Sequence, residues 1–157
     1  MSKSTPATLA LVKSGVSFTL HSYDYDPGSE RVGLQAAEAL GEPPARVLKT
    51  LMAKVDGRPV CAILPSDRTV AMKKLATALG GRAAEMMTPA EAERLTGYRV
   101  GGVSPFGQKR QVPTVLERTA LEQPFVFVNA GQRGLQTRLE PEEVRRAAGA
   151  LIADILA

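Results

Sequence analysis

A run of eleven residues combines glycines, a Ser-Pro pair and two adjacent cations, and it reads Val-Gly-Gly-Val-Ser-Pro-Phe-Gly-Gln-Lys-Arg over residues 100–110. Glycine allows a backbone to approach a ligand closely and to direct its N–H groups towards it. The cations Lys109 and Arg110 suit an anionic partner such as phosphate. The run therefore predicts a pocket that is built from main-chain amides and holds part of a phosphate-bearing molecule.

A second candidate is Lys49, which stands with Thr50 at the entrance of an apolar segment. A lysine flanked by apolar residues either extends its stem along a strand edge to reach water or points its ammonium group into a cleft. The residues alone favour the first alternative, because buried lysines are rare. Thr50 is in itself typical of a β-strand.

The chain lacks the residues for several common kinds of site. It has one histidine, His21, and one cysteine, Cys61, so it cannot form a multi-histidine or cysteine-rich metal centre. We expect neither a metal nor a cofactor. His21 lies in an alternating segment and is predicted to be structural, and Cys61 lies in an apolar run and is predicted to be buried and inert. An enzyme made from this chain must use main-chain amides, a lysine, hydroxyl groups and the substrate itself.

Composition predicts a single domain over residues 1–157 with an aliphatic core, because 44% of the residues are hydrophobic and none is tryptophan. No apolar run approaches the length of a membrane span, and the first residues lack the apolar region of a signal peptide. We therefore expect no membrane contact, and the single cysteine favours the cytoplasm. The net charge of +4 is compatible with an RNA partner but does not require one.

Local patterns predict alternating helices and strands with short connections. The predicted helices start after Thr5, with Leu9, Leu11 and Val12 on the apolar side, and cover 31–40, 72–79, about 89–95 and 141–155. The predicted strands cover 16–22, 47–55, 60–64, 112–116 and 125–129, with a hairpin turn at Asp56-Gly57. This order indicates an α/β protein of α+β type with a mixed sheet.

Four motifs together resemble a known family. They are Tyr23 after His21-Ser22, the segment Val47-x-Lys49-Thr50-Leu51, the segment Thr-Gly-Tyr-x-Val-Gly-Gly-Val-Ser-Pro-x-Gly-Gln-Lys over 96–109, and Gly131-x-Arg133-Gly134-Leu135. In this order they resemble the YbaK-type aminoacyl-tRNA editing domains, and among these the bacterial Cys-tRNA(Pro) deacylases. The likeness covers nearly the whole chain, and the glycine run is its most specific part.

The resemblance implies a curved mixed β-sheet or partial barrel that is flanked by helices and has a pocket at one end. It implies that the protein cleaves the ester between a mischarged amino acid and the 3′ adenosine of tRNA(Pro), in trans and with prolyl-tRNA synthetase as a partner. In the cysteine branch the substrate's own thiol attacks the ester and leaves as a cyclic thiolactone, so that both lyase and hydrolase classes apply. Cys-tRNA(Cys) is a further candidate substrate. Two alternatives stay open: hydrolysis of Ala-tRNA(Pro) by water, and a non-catalytic module that holds tRNA or the synthetase.

The resemblance also implies roles for individual residues. Lys49 would anchor the terminal phosphate or ribose, and Gly101, Gly102 and Ser104 would surround the ester carbonyl. The expected substrate-pocket residues are Tyr23, Thr50, Val103, Pro105, Asn129, Gly131 and Gly134, and the expected tRNA contacts are Lys109 and Arg133. Asn129 and Gln136 replace other residue types of the relatives, and this leaves the choice of amino acid open.

Overall fold

The computed structural model describes residues 4–28 and 34–157, and these contain five helices and eight strands. The helices are α1 (Pro6–Lys13), α2 (Gln35–Leu40), α3 (Met72–Ala78), α4 (Pro89–Thr96) and α5 (Pro141–Ala148). The strands are β1 (Thr19–Ser22), β2 (Leu48–Val55), β3 (Arg58–Pro65), β4 (Ala84–Met86), β5 (Thr114–Glu117), β6 (Val126–Gln132), β7 (Leu135–Leu139) and β8 (Leu151–Ala153). Two short 3-10 helices cover Pro44–Arg46 and Arg118–Glu122.

The strands form two sheets. One is an antiparallel three-stranded sheet of order β1-β7-β6, and the other is a five-stranded sheet of order β4-β2-β3-β5-β8. The second sheet is mixed, because β4, β2 and β3 are antiparallel neighbours whereas β3, β5 and β8 are parallel. An isolated parallel bridge between Val47 and Phe127 connects the two sheets. The predicted α+β class with a mixed sheet and flanking helices is confirmed, although the described strands do not close into a barrel.

The five-stranded sheet separates two apolar clusters, because successive side chains of a strand point to opposite faces. On β3, Cys61 and Ile63 pack into the cluster that includes α1, α4 and α5. Ala62 and Leu64 of the same strand pack into the other cluster, which includes α3. Both faces of β3 are therefore buried, and this explains why the strand reads as a continuous apolar run.

Several local predictions are confirmed. The β2–β3 hairpin turns at Asp56 and Gly57, whose φ angles of 49° and 80° are those of a tight turn that favours Gly and Asp. Helix α1 begins at a capping box formed by Thr5 and Thr8. Helix α4 begins at a second capping box, in which the Thr88 hydroxyl accepts from the Glu91 amide and the Glu91 carboxylate accepts from the Thr88 amide.

The predicted C-terminal helix over 141–155 is wrong beyond Ala148. Gly149 adopts a left-handed conformation with φ 61°, which ends α5. Residues Leu151–Ala153 then form β8 in parallel pairing with β5. The apolar residues after the glycine have a spacing that also fits a helix, and only the pairing with β5 decides between the two.

Other elements differ in extent from the prediction. Helix α1 buries Ala7, Thr8 and Leu11, whereas Leu9 and Val12 are 60% and 66% exposed, so the predicted apolar side is confirmed only for Leu11. Strand β1 begins later than the predicted strand over 16–22, and the predicted start of the helix over 31–40 lies outside the described residues. The sequence did not predict β4 or β7.

Candidate active site

A cavity of about 350 Å³ lies against β2 and is walled by several elements. This volume falls in the range of small-molecule sites. Most of the lining is apolar, with a few polar groups among it. The lining residues are Tyr23, Tyr25, Ala36, Val47, Leu48, Lys49, Thr50, Leu51, Met52, Ser66, Met86, Met87, Pro89, Ala92, Val100, Gly101, Val103, Asn129 and Gln136.

The cavity exists because one edge of β2 is only partly covered. Strand β3 pairs with β2 over its whole length, but on the other side β4 covers only residues 53–55 and the bridge at Val47 lies at the opposite end. The Met52 carbonyl still accepts from the Met87 amide at 3.1 Å on that side. Since backbone groups alternate in direction along an antiparallel strand, the amide and carbonyl of Thr50 also point to this edge. The gap between β4 and β6 therefore exposes backbone polar groups to the cavity.

Lys49 is half-buried in the cavity wall, and it forms no ion pair or hydrogen bond with another described residue. Burial lowers its pKa, and the carboxylate of Asp67 opposes this change. A lysine with a partly desolvated and unpaired ammonium group is suited to bind an anion that enters the cavity. Of the two alternatives that the residues left open, the structure favours the cleft.

Two buried polar atoms of the cavity lining have no hydrogen-bond partner in the described part of the chain: Oγ1 of Thr50 and Oε1 of Gln136. A buried polar atom without a partner costs about 1–3 kcal/mol. A ligand with complementary donors would recover this free energy, so the two atoms indicate where polar groups of a ligand bind.

The Tyr23 side chain forms part of the same wall. Burial raises the pKa of Tyr23, and a hydrogen bond with the Gln136 amide group opposes the rise. The backbone amide of Tyr23 donates to the Gly134 carbonyl at 2.9 Å, which holds the segment after β1 against the β6–β7 turn. Tyr23 is therefore a neutral phenol that is positioned to contact a ligand.

The glycine run forms the opposite wall and needs its glycines for close approach. Gly101 has φ +90°, and a Cβ atom there would lie 2.5 Å from the Tyr25 hydroxyl. A Cβ atom on Gly102 would lie 2.7 Å from the backbone nitrogen of Arg133. The Gly102 amide donates to the Arg99 carbonyl at 2.8 Å, whereas the hydrogen bonds of the described residues include none from the amides of Gly101 and Val103. Gly101 and Val103 thus line the cavity with amides that bond to no other described residue, and Gly102 closes the turn.

Asn129 connects the glycine run to β6. Its Oδ1 accepts from the amides of Gly131 and Gln132 at 2.7 and 3.1 Å, at the point where the register between β6 and β7 shifts. Its Nδ2 donates to the Gly101 carbonyl at 3.4 Å. Asn129 therefore fixes the conformation of the wall as well as lining the cavity.

Arg133 supports the same wall from outside the cavity. Its Nε donates to the Val100 carbonyl at 2.9 Å, and its guanidinium carbon lies 5.2 Å from the centre of the Tyr25 ring. Arg133 is one of the two cations for which the resemblance implied a tRNA contact, and both of these contacts are with neutral groups. The geometry supports a positioning role for Arg133.

Four further predicted site residues are not among the cavity lining. Ser104 is fully buried, and its hydroxyl accepts from the Phe106 amide at 3.2 Å in a local turn, next to Pro105. Gly131 and Gly134 lie at close backbone contacts, where a Cβ atom would come within 2.7 Å of the Tyr98 ring and 2.6 Å of the Tyr23 carbonyl. These positions shape the walls, and the geometry does not bring the Ser104 hydroxyl into the cavity lining.

The described residues offer no group of three metal-ligating side chains, and none of the described helices is long and apolar enough to cross a membrane. Cys61 is fully buried, and burial raises the pKa of its thiol to about 12, as expected for an inert cysteine. The cavity can therefore bind an anion at Lys49 and donate amide hydrogen bonds to a carbonyl oxygen, but Cys61 does not supply a thiolate to it.

Sequence reasoning missed several residues of the cavity. Tyr25 comes from a segment without a distinctive pattern of its own, and Met86-Met87 precedes the capping box of α4. The resemblance indicates Gln136 only as a position where the chain departs from its relatives, and the structure places it in the cavity lining. An apolar residue directly before the N-cap often packs against the first turns of the helix, and this signal could have indicated Met87.

The family model described as "Aminoacyl-tRNA editing domain" matches residues 32–147 of the chain. EbsC of Enterococcus faecalis, provisionally assigned as a Cys-tRNA(Pro)/Cys-tRNA(Cys) deacylase, is 38% identical over 120 residues, which are 76% of this chain and 73% of that protein. A proline–tRNA ligase of Nitratidesulfovibrio vulgaris is 36% identical over 81 residues, which are 52% of this chain and 14% of the ligase.

A solved structure has the same fold over the whole chain. The crystal structure of a protein provisionally described as a trans-editing enzyme for prolyl tRNA synthetase superposes with a TM-score of 0.82 and 26% sequence identity, covering 99% of both chains. The family match and the relatives agree with the motifs in the sequence. The chain belongs to the aminoacyl-tRNA editing domain family and is by class an aminoacyl-tRNA deacylase.

Proposed function

We propose that this protein removes cysteine from mischarged Cys-tRNA(Pro), in trans and together with prolyl-tRNA synthetase. The observation that carries the proposal is the cavity, which joins an unpaired lysine, two unbonded main-chain amides and two unsatisfied polar atoms around a mostly apolar space. The similarity to EbsC supports cysteine as the amino acid, and the similarity to proline–tRNA ligases supports the tRNA and the synthetase.

Binding follows from the charges and the lining of the cavity. The Lys49 ammonium group binds the phosphate of the terminal nucleotide, and Oγ1 of Thr50 and Oε1 of Gln136 accept hydrogen bonds from its ribose hydroxyl groups or from the α-amino group. The apolar wall of methionines at 52, 86 and 87 surrounds a small side chain. A pocket of this kind distinguishes a methylene by about 1–3 kcal/mol, which is why a second hydrolytic check after aminoacylation is useful.

The chemical step needs no nucleophile from the protein. The cysteinyl sulfur attacks the ester carbonyl carbon, and the amides of Gly101 and Val103 stabilise the negative charge that develops on the carbonyl oxygen. The new C–S bond replaces the C–O bond to the ribose, and the thiol proton passes to the departing ribose oxygen. The products are a cyclic thiolactone and uncharged tRNA.

The test compares Cys-tRNA(Pro), Ala-tRNA(Pro) and Cys-tRNA(Pro) whose thiol is methylated, each with and without prolyl-tRNA synthetase. We expect loss of cysteine with formation of the thiolactone, measured by mass spectrometry, and stability of the methylated substrate. Cleavage of the alanyl and methylated substrates at the same rate would replace the thiol mechanism with attack by water. If all three esters survive with the wild-type protein, the chain is a binding module.

A further inference from the structure

A basic groove of about 540 Å³ lies beside the cavity, between the β2–β3 hairpin, α4 and the end of the glycine run. Arg94 comes from α4, and Lys109 and Arg110 are the last two residues of the glycine run. All three are exposed, and none forms an ion pair with a described carboxylate. The groove therefore presents three cations whose charge is free for a partner.

The acidic residue of the groove is already neutralised. Glu91 accepts from the Lys54 ammonium group at 2.7 Å, and this contact lowers the pKa of Glu91 to about 2. Its other carboxylate oxygen accepts from the Thr88 amide at 3.0 Å, as part of the helix cap. Glu91 therefore does not offset the three free cations, and the groove favours an anion.

The groove and the cavity are neighbours with a shared wall. Met87 lines both of them. The chain continues from Gly101 and Val103 in the cavity wall to Lys109 in the groove. The Lys109 amide donates to the Thr96 carbonyl at 2.9 Å, and the aliphatic part of its side chain packs against Gly97. A strand that lies in the groove would reach the cavity by passing Met87, the residue that lines both.

We propose that this groove binds the sugar–phosphate backbone of the RNA strand that carries the ester, with Arg94, Lys109 and Arg110 contacting successive phosphates. The inference rests on the proposed function, because it adds an RNA site to that active site. Arginine and lysine side chains that converge on a groove suit the regularly spaced charges of a nucleic-acid strand. Of the two cations that the sequence assigned to tRNA, Lys109 belongs to this site and Arg133 does not.

The experiment uses a groove variant, Arg94→Ala with Arg110→Ala, and a charge-matched control, Lys13→Ala with Lys73→Ala. Lys13 lies on α1, and Lys73 lies on α3 on the opposite face of the five-stranded sheet. Each protein is given full-length Cys-tRNA(Pro) and the cysteinyl ester of the terminal CCA trinucleotide at several salt concentrations.

We expect the groove variant to raise KM for the full tRNA about tenfold or more with kcat unchanged. The slope of log KM against log salt should decrease by about 1–2, because each lost phosphate contact removes about 0.7–0.9. Cleavage of the trinucleotide ester should match the wild type. A groove variant with the KM and salt slope of the control would overturn the inference.

A separate measurement keeps this outcome distinct from failure of the proposed function. If the wild type cleaves neither ester, the proposed function fails, and binding of an uncharged acceptor-stem hairpin, measured by fluorescence anisotropy, still tests the groove. Weaker binding by the groove variant than by the control supports an RNA site. Equal binding by both overturns it.

Discussion

Lys49 and Lys54 lie on the same strand, yet Lys54 forms an ion pair and Lys49 forms none with a described residue. Lys54 donates to Glu91 at 2.7 Å and lies 4.0 Å from Glu85, and the contact with Glu91 raises its pKa. Lys49 has no carboxylate within ion-pair distance among the described residues, and burial lowers its pKa. A partly desolvated charge without a partner is unfavourable in the free protein. The comparison indicates that Lys54 has a structural role, whereas Lys49 keeps the unpaired charge to which we assign the substrate phosphate in the proposed function.

The largest expected effect that would test this comparison is on catalysis. Lys49→Ala should lower kcat/KM for Cys-tRNA(Pro) about 10–100-fold, because a charged contact to the substrate is lost. Thermal stability should not decrease through a lost bond, because no described residue pairs with Lys49, and removal of its partly desolvated charge should favour the folded state slightly. Lys73→Ala on α3 is the control for loss of one positive charge. An equal decrease in kcat/KM for both variants would show that only the net charge matters.

The pH dependence of kcat/KM provides a second test. The pKa of Lys49 is below its ordinary value, so its charge, and with it activity, should be lost on the alkaline side at a lower pH than for an exposed lysine. In the same pH range the free energy of unfolding should rise with pH. The unfolded chain binds more protons there than the folded one, and rising pH removes the cost of the buried charge. Lys49→Arg should shift the alkaline limit of activity upwards. Rates are corrected for spontaneous ester hydrolysis, and an unshifted limit in this variant would assign the titration to another group.

The smallest expected effect concerns the paired lysine. Glu91→Gln removes the ion pair to Lys54 but keeps a side chain that can complete the capping box, so the decrease in Tm should be at most about 4 °C. Glu91→Ala also removes the cap and should lower Tm further. The low pKa of Glu91 implies that the ion pair contributes to the free energy of unfolding when the pH is above the ordinary pKa of a carboxyl group. This contribution is lost as the pH falls towards about 2. Equal Tm values for both variants would show that the cap contributes nothing.

Much of the fold near the site could be predicted from local residue patterns. The hairpin at Asp56-Gly57 and the capping box at Thr88 depend on a few neighbouring residues, and both are present. The C-terminal segment could not be predicted in the same way, because the residues after Gly149 fit a helix or a strand equally well. Their strand conformation comes from pairing with β5, which is distant in sequence.

The site residues also include some whose position a sequence motif indicated and others whose position only the structure shows. Lys49, Thr50 and Gly101 belong to motifs that the sequence shows, and the structure brings them to one cavity. Ser104 belongs to the same glycine motif, but its hydroxyl turns into the chain to accept from Phe106. The resemblance indicates Gln136, but the residue pattern does not indicate that its Oε1 is buried without a partner in the described part of the chain. Direction of a side chain and convergence of separate segments are properties of packing, which no local pattern encodes.

The amino-acid sequence by itself determined the family, the α+β class and the absence of a multi-histidine or cysteine-rich metal centre, because these follow from residue types and their order. Only the tertiary structure decided which lysine stays unpaired, which amides of the glycine run remain available and which cations line the groove beside the cavity. These outcomes depend on the gap between β4 and β6 along the edge of β2 and on the position of Glu91 opposite Lys54. Distances between residues far apart in the chain set electrostatic pairing and burial, and folding alone establishes those distances.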